Sequence, residues 1–102
     1  MRYIADMIRG IKGKTTRDIY DGINSRQARR VPREIHDKAT RLLDQIDAAP
    51  GLDFLRVPPS NRLEKLRGDL AGYWSLRIND QWRIIFRWEN KDALDVEITD
   101  YH

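Results

Sequence analysis

The sequence predicts an α+β fold in which two N-terminal helices pack on a small, mostly antiparallel sheet. Three observations support this prediction. The first half of the chain has apolar residues at steps of three and four, the spacing of an amphipathic helix. The second half has three runs in which apolar and polar residues alternate, as in strands with one buried face. The chain has 102 residues, so we expect a single domain over residues 1–102.

The first half predicts the helices. Residues 7–11 form a short apolar-containing run that could be a strand. Residues 15–18, Thr-Thr-Arg-Asp, have the pattern of a capping box, and Gly22 is expected to end the short helix that follows. Pro32 suits the first turn of a second helix over roughly residues 31–48. The apolar stripe of this second helix consists of Ile35, Ala39, Leu42, Leu43, Ile46 and Ala49.

The second half predicts the strands. Apolar residues at even positions alternate with polar residues over 73–78 and over 82–88, and a similar alternation recurs over 94–98. Residues 63–66 are a weaker candidate for a fourth strand. This period of two predicts a sheet with one buried face and one polar face.

The alternation also predicts how these strands pair. If the apolar residues share the buried face, a three-residue loop between the first two strands places Leu76 opposite Ile84. The same register places Arg77 opposite Arg83 on the exposed face and brings Thr99 beside Arg83. Like charges that face each other across a sheet are destabilising unless an anion lies between them.

The arginines of this exposed face form the strongest candidate site. Guanidinium groups bind phosphate in a bidentate manner, a Tyr can stack on a base, and a His can move a proton near neutral pH. The alternative is a solvated sheet face in which Arg87 pairs with Asp95 and Glu97 balances the remaining charge. The group consists of Arg67, Arg77, Arg83 and Arg87, together with Tyr101 and His102.

Other patterns in the sequence carry no such chemistry. Residues 13–15, Gly-Lys-Thr, have the ending of a phosphate-binding loop, but Ile8 stands where that loop needs its first glycine. Asp44 and Asp47 lie one helical turn apart without a His beside them, so no metal site is expected. His36 lies off the apolar stripe and is expected to face solvent.

Composition excludes several classes of function. The chain is 40% hydrophobic and 34% charged, as in a folded globular protein, and it contains no apolar run of the length that spans a membrane. It has no cysteines, which excludes disulfides and thiol nucleophiles and is compatible with a reducing cytoplasm. The net charge of +3 is unevenly spread, because residues 1–50 carry 11 basic and 7 acidic side chains.

Three segments of the second half follow a known pattern in order and spacing. Residues 67–75 follow K-G-D-x-x-G-x-x-S with Arg in place of Lys, residues 79–86 follow N-x-x-W-R-I-x-F, and residues 100–102 are Asp-Tyr-His. With these segments the chain closely resembles the HigB (host inhibition of growth) toxins of the RelE/ParE superfamily. The resemblance covers nearly the whole chain from about Met7, so residues 1–6 are expected to be an N-terminal extension.

This resemblance implies a cytoplasmic toxin of a type II toxin–antitoxin system that cleaves mRNA in the ribosomal A site. It implies a cognate helix-turn-helix antitoxin, contact with operator DNA only through the antitoxin complex, and no cofactor, metal or membrane. The catalytic positions of the family fall on Arg67, Arg83, Asp100, Tyr101 and His102. Neighbouring positions expected to bind substrate are Glu64, Lys65, Tyr73, Arg77 and Arg87.

Each catalytic residue has an expected role in cleaving RNA without a metal. Arg83 and Arg67 are expected to hold the phosphate, and His102 is the first candidate for proton transfer, with Tyr101 orienting the substrate or the leaving group. Asp100 is expected to orient His102 or an arginine. Many family members have a His where this chain has Glu64, so the base is Glu64 or His102, or activity is slow.

Ribosomal RNA is expected to contact a basic cluster near the start of the second helix, unless these arginines only solubilise the helix. Two other functions are compatible with the sequence. One is a gyrase-directed toxin of the same fold without nuclease activity, and the other is a weakened toxin that mainly binds its antitoxin. The basic cluster consists of Arg26, Arg29, Arg30 and Arg33.

Overall fold

The computed structural model describes residues 9–100. Within that range it contains two α-helices, α1 (Lys14–Asp21) and α2 (His36–Ala48), followed by four strands. The strands form a single antiparallel sheet in the order β1-β2-β3-β4. Their bounds are β1 (Glu64–Lys65), β2 (Tyr73–Arg77), β3 (Trp82–Glu89) and β4 (Asp92–Asp100). The predicted α+β architecture is therefore confirmed. No helix in this part of the chain is long and apolar enough to cross a membrane.

The core lies between the two helices and one face of the sheet. All six residues of the predicted stripe on α2 are buried. They belong to one apolar cluster with Leu76 of β2 and with Ile84 and Phe86 of β3. Both helices also contact β4. Burial of this stripe, rather than helix propensity, is what stabilises a helix of this length in water.

Helix α1 begins differently from the prediction. It follows Gly13, which has φ 86° and offers no capping side chain, so the capping box predicted at residues 15–18 is wrong. Thr16 is instead buried, and its Oγ1 accepts a hydrogen bond of 2.9 Å from the backbone N–H of Ile98 in β4. The end of α1 is as predicted, because Gly22 takes the left-handed conformation with φ 75°.

Helix α2 begins later than predicted. Residues Arg33–Ile35 form a turn of 3₁₀ helix after Pro32, and the α-helix itself starts at His36. The predicted exposure of His36 is wrong. Its side chain is half-buried, and Nε2 lies 2.8 Å from the carbonyl oxygen of Val31. This contact anchors the first turn of α2 to the segment before it.

We expect the hydroxyl of Thr16 to contribute measurably to stability. Thr16→Val should lower the free energy of unfolding by about 1–3 kcal/mol, because the N–H of Ile98 would be buried without an acceptor. Chemical denaturation measures this change. Thr15→Val is the matched control at a half-buried neighbour, and its effect should stay within about 0.5 kcal/mol. Equal effects of the two substitutions would contradict the assigned role of Thr16.

The predicted register is confirmed. Leu76 pairs with Ile84, Arg77 pairs with Arg83, and Arg83 pairs with Thr99 on its other side. Ile78, just after β2, donates its N–H to the carbonyl of Trp82 at 2.9 Å, so the predicted three-residue loop is residues 79–81, and the side chain of Asn79 organises it. Asn79 Oδ1 accepts hydrogen bonds from two later backbone N–H groups at 2.9 Å and 2.7 Å.

Strand β4 departs from the predicted alternation. The register between β3 and β4 shifts between Ile85 and Arg87, and Asp95 in β4 has φ 52°. This irregularity is a β-bulge, and one extra residue changes which side chains face the core. Ala93 is therefore buried in place of the expected Leu94, whereas the later positions of the strand are buried as predicted.

Residues 9–12 cover the outer edge of β4. Arg9 N–H donates to the Ala93 carbonyl at 2.8 Å, and Lys12 N–H donates to the Val96 carbonyl at 2.9 Å. Ile11 forms a parallel bridge with Val96. The described part of the strand predicted at residues 7–11 thus pairs with the sheet. Residues 1–8, which include the predicted N-terminal extension, lie outside the described residues.

Candidate active site

The face of the sheet opposite the core carries some of the predicted site residues. Lys65 and Asp100 do not share it, because they pair with Trp74 and Trp82, which pack against the core. Arg77 and Arg83 face each other across β2 and β3. Glu64 of β1 lies opposite Ser75 of β2, so it shares this face at the neighbouring position. The arrangement follows from the register, because residues two apart in a strand point to the same side of the sheet.

An internal carboxylate lies beside the opposed arginines. Arg77 Nη2 donates a hydrogen bond to Asp80 Oδ1 in the loop between β2 and β3. This bond lowers the pKa of the Asp80 carboxyl below its ordinary value, and the charges of Arg83 and Arg62 lower it further. The loop therefore supplies the anion that two facing arginines require.

Arg62 is a member of this cluster that sequence reasoning missed. Arg62 precedes β1 by two residues, and its charge contributes to the lowered pKa of Asp80. Arg62 has φ 47°, a conformation that turns the chain into β1. The sequence signal was too weak to find it, because β1 has only two residues and its register with β2 has no alternation to fix it.

Arg87 is held by two carboxylates. Its Nε donates to Asp95 Oδ2 at 2.9 Å, and its Nη1 donates to Glu89 Oε2 at 2.6 Å. The hydrogen bond with Asp95 raises the pKa of Arg87 above its ordinary value. The alternative interpretation, in which Arg87 pairs with Asp95, is therefore confirmed for this residue. Tyr73, which lies opposite Arg87, is half-buried.

Arg67 lies at the other end of β2 from Arg77. The preceding residue, Leu66, donates its N–H to the carbonyl of Tyr73 at 2.8 Å, so the chain passes the start of β2 at this point. Four residues of strand separate Tyr73 from Arg77, which is about 13 Å. Arg67 is exposed, as is Lys65 in β1. The two predicted phosphate ligands, Arg67 and Arg83, thus lie near opposite ends of β2.

Asp100 ends β4 at the same end of the sheet as Arg83. It pairs with Trp82 in the register, and its Oδ2 accepts a hydrogen bond of 3.0 Å from Gln81 Nε2. Tyr101 and His102, which follow Asp100 in the sequence, lie outside the described residues. Arg77, Arg83 and Asp100 therefore lie at one end of the sheet, but Asp100 pairs with Trp82, which packs against the core, and so lies on the opposite face from the two arginines.

A groove of about 480 Å³ opens beside this end of β4. Lys12, Arg30, Trp82 and Asp100 contribute to its walls. Of the predicted ribosome-binding cluster, Arg30 therefore lies near the candidate catalytic end. The groove lining carries three basic side chains, Lys12, Lys14 and Arg30, and two acidic ones, Glu97 and Asp100.

The remaining arginines of that cluster are spread over the surface. Arg33 lines a separate cleft of about 1110 Å³ between α1 and α2. Arg29 Nη1 donates to the Asn24 carbonyl at 3.2 Å. Arg26 is exposed, as are the other three members of the cluster. Among residues 9–100, no group of three or more acidic or histidine side chains could hold a metal ion.

The sequence matches a known protein family over most of its length. Residues 12–102 match the family described as the RelE-like toxin of type II toxin–antitoxin system HigB. Toxin HigB-1 of Vibrio cholerae is 38% identical over 82% of this chain and 86% of its own length. Endoribonuclease HigB of Proteus vulgaris is 33% identical over 94% of this chain and 100% of its own length.

Solved structures of related toxins have the same fold. A chain of the YoeB-YefM complex from Staphylococcus aureus matches with a TM-score of 0.57 at 21% identity, covering 91% of this chain and 95% of that one. The YoeB/ParE toxin from Agrobacterium tumefaciens matches with a TM-score of 0.53 at 20% identity, covering 91% and 99%. With the family match over residues 12–102, these findings show that the chain belongs to the HigB family of RelE-like toxins of type II toxin–antitoxin systems.

Proposed function

We propose that this toxin is a ribosome-dependent mRNA endoribonuclease that acts in the cytoplasm and inhibits translation and growth. The endoribonuclease activity is inferred from the Proteus vulgaris relative, which is named an endoribonuclease and is matched over its whole length. The observation that carries the site is the register. It places Arg83 between Arg77 and Thr99, at the end of the sheet where Asp100 ends β4.

The proposed reaction needs no metal. The 2′-OH of one nucleotide attacks the adjacent phosphorus, the new O2′–P bond forms, and the P–O5′ bond breaks to leave a cyclic phosphate and a 5′-OH. One group takes the proton of the 2′-OH and another gives a proton to the leaving 5′-oxygen. Arg83 stabilises the charge that develops on the phosphoryl oxygens, a contribution of about 3 kcal/mol for a well-placed donor.

The other residues surround this step. His102 transfers protons, Tyr101 orients the substrate or the leaving group, and Asp100 orients His102 or an arginine. Arg67 holds the RNA from the opposite end of the polar face, so that the reacting nucleotides lie between it and Arg83. Glu64 is the alternative base, because it is exposed on the same face of the sheet.

The partners complete the proposal. A cognate helix-turn-helix antitoxin holds the toxin inactive, and operator DNA is contacted only through that complex. The ribosome presents the mRNA and is contacted by the exposed arginines at positions 26, 29, 30 and 33. Arg30 lines the groove that also holds Asp100, on the side of the sheet that faces α1, and would contact RNA that reaches this side.

Cleavage in a purified translation system tests this function. We expect the toxin to cut mRNA that is being translated and to leave the same mRNA intact when ribosomes are omitted. Primer extension maps the cuts, and antitoxin added in excess should prevent them. A toxin that arrests growth without cutting mRNA on translating ribosomes would contradict the proposal. A DNA supercoiling assay with gyrase would then test the alternative target.

A further inference from the structure

We propose that Arg62 and Arg77 form a binding subsite for an RNA phosphate beside Arg83, and that Asp80 occupies this subsite until RNA displaces it. The inference rests on the proposed function, because it takes the ligand to be the substrate RNA. It adds Arg62 and Asp80 to the site, and it assigns to the loop between β2 and β3 a role in substrate binding.

Arg62, Arg77 and Arg83, here called the arginine row, act on one carboxylate. Arg77 pairs with Arg83 across β2 and β3 and donates a hydrogen bond to Asp80, and the charges of Arg83 and Arg62 also act on Asp80. Three arginines near one anion position suit the phosphates of an RNA backbone.

The row is held in place from both sides. The side chain of Arg77 is only 24% exposed, so its path over the sheet is fixed by packing. Arg62 follows Asn61, which is 4% exposed. Asn61 Nδ2 donates to the carbonyls of Leu55 and Val57 at 3.1 Å and 3.2 Å. Because the arginines are positioned before RNA arrives, less ordering entropy is lost on binding.

Asp80, in contrast to Arg77, is not held in place by packing. Its side chain is 98% exposed, although it accepts a hydrogen bond from Arg77. Exposed ion pairs contribute little to stability, so the carboxylate can leave Arg77 at small cost. A phosphate binds a guanidinium with two parallel hydrogen bonds, so it competes well against the Asp80 carboxylate for Arg77. The loop thus carries an internal anion that fills the subsite in free toxin and yields to the substrate.

RNA is favoured over an acidic segment of protein by the position of the row. Arg83, at one end of the row, pairs with Thr99 near the end of β4 where the proposed reaction takes place. A strand of RNA with one phosphate at Arg83 therefore places a neighbouring phosphate along the row. An acidic peptide would have no such relation to the reacting end.

Binding of a single-stranded RNA oligonucleotide, 2′-O-methylated so that it cannot be cut, tests the proposal. Fluorescence anisotropy over a range of salt concentrations gives the affinity. Asp80→Asn should tighten binding about two- to fivefold more than Asp53→Asn, the range expected for release of an exposed ion pair. Asp53 is the matched control, because it also forms an exposed (i, i+3) pair, with Arg56, and is 89% exposed.

The subsite predicts that this gain depends on Arg77. In an Arg77→Ala background, Asp80→Asn should have no more effect than Asp53→Asn, and Arg77→Lys should give an intermediate result because it keeps the charge without the planar fork. Circular dichroism checks that each variant is folded. A gain equal to that of Asp53→Asn, or one that persists without Arg77, would overturn the subsite.

Two further arms separate the remaining outcomes. If Asp80→Asn tightens the binding of polyglutamate as much as that of the RNA probe, the assignment to RNA is wrong. Cleavage of translated mRNA by the unaltered toxin is measured in parallel. Cleavage without the Asp80 effect counts against the subsite alone, whereas the Asp80 effect without cleavage counts against the endoribonuclease proposal alone.

Discussion

Replacing Arg83 with Ala should abolish growth inhibition while the protein stays folded. Arg83 lies on the polar face of the sheet and outside the apolar cluster, although it is half-buried rather than exposed as predicted. Its loss therefore leaves the apolar core intact and removes one of two facing positive charges. Loss of a donor to the transition-state phosphate costs about 10²–10³ in rate. Growth on induction, cleavage of translated mRNA and circular dichroism together measure the result.

Arg56→Ala is the control for this experiment. Arg56 is an exposed arginine that pairs with Asp53 in the turn after α2, so the substitution changes the net charge equally at a remote place. It should leave toxicity unchanged. Full toxicity of folded Arg83→Ala protein would show that the arginine row is not the site of the reaction.

Deleting Tyr101 and His102 should remove mRNA cleavage and cost little stability. Within the described part of β4 the last buried side chain is Ile98, and residues near a chain end seldom hold a fold together. Thermal unfolding should therefore be nearly unchanged while cleavage on ribosomes is lost. Retained cleavage by the shortened protein would assign proton transfer to residues elsewhere on the face.

The pH dependence of cleavage distinguishes the two candidate bases. If neutral His102 takes the proton of the 2′-OH, the rate should rise with pH through an apparent pKa of about 6.5, the ordinary value for His. His102→Gln should then remove this titration. If Glu64 is the base, cleavage should persist in His102→Gln and be lost in Glu64→Gln. Single-turnover cleavage over pH 5–8 separates these outcomes.

The paired strands at the centre of the site could be predicted from the sequence. Apolar and polar residues alternate in β2 and β3, and only a few loop lengths between these strands keep both Leu76 and Ile84 on the buried face. Each of those loop lengths also fixes the position of Arg83. The stripe on α2 could be predicted for a similar reason, since its spacing admits one buried face. In both elements a local pattern determines which residues face the core.

The remaining features depend on contacts between distant parts of the chain. Thr16 accepts a hydrogen bond from a backbone N–H 82 residues later. The residues near Thr16 in the sequence give no sign of this bond, so they predicted a capping box instead. The bulge has a positive φ at Asp95, which is not a glycine, so the sequence gives no sign of a bulge at this position. Arg62 joins the site through a strand of two residues, which is too short for any periodicity. The pairing of Asp80 with Arg77 was not predicted, because Asp is common in turns for its effect on the local backbone and this explains its presence without a charged partner.

The edge of β4 has a consequence for how the toxin acquires its structure during synthesis. Residues 9–12, Thr16 and both helices all depend on contacts with this last strand, so native contacts of high sequence separation close the fold. Such contacts form late and slowly, because the intervening chain must first be ordered. A nascent chain still lacking β4 leaves the second edge of β3 unpaired and offers no sheet edge for its N-terminal half. The native fold is therefore completed only when β4 is available for pairing.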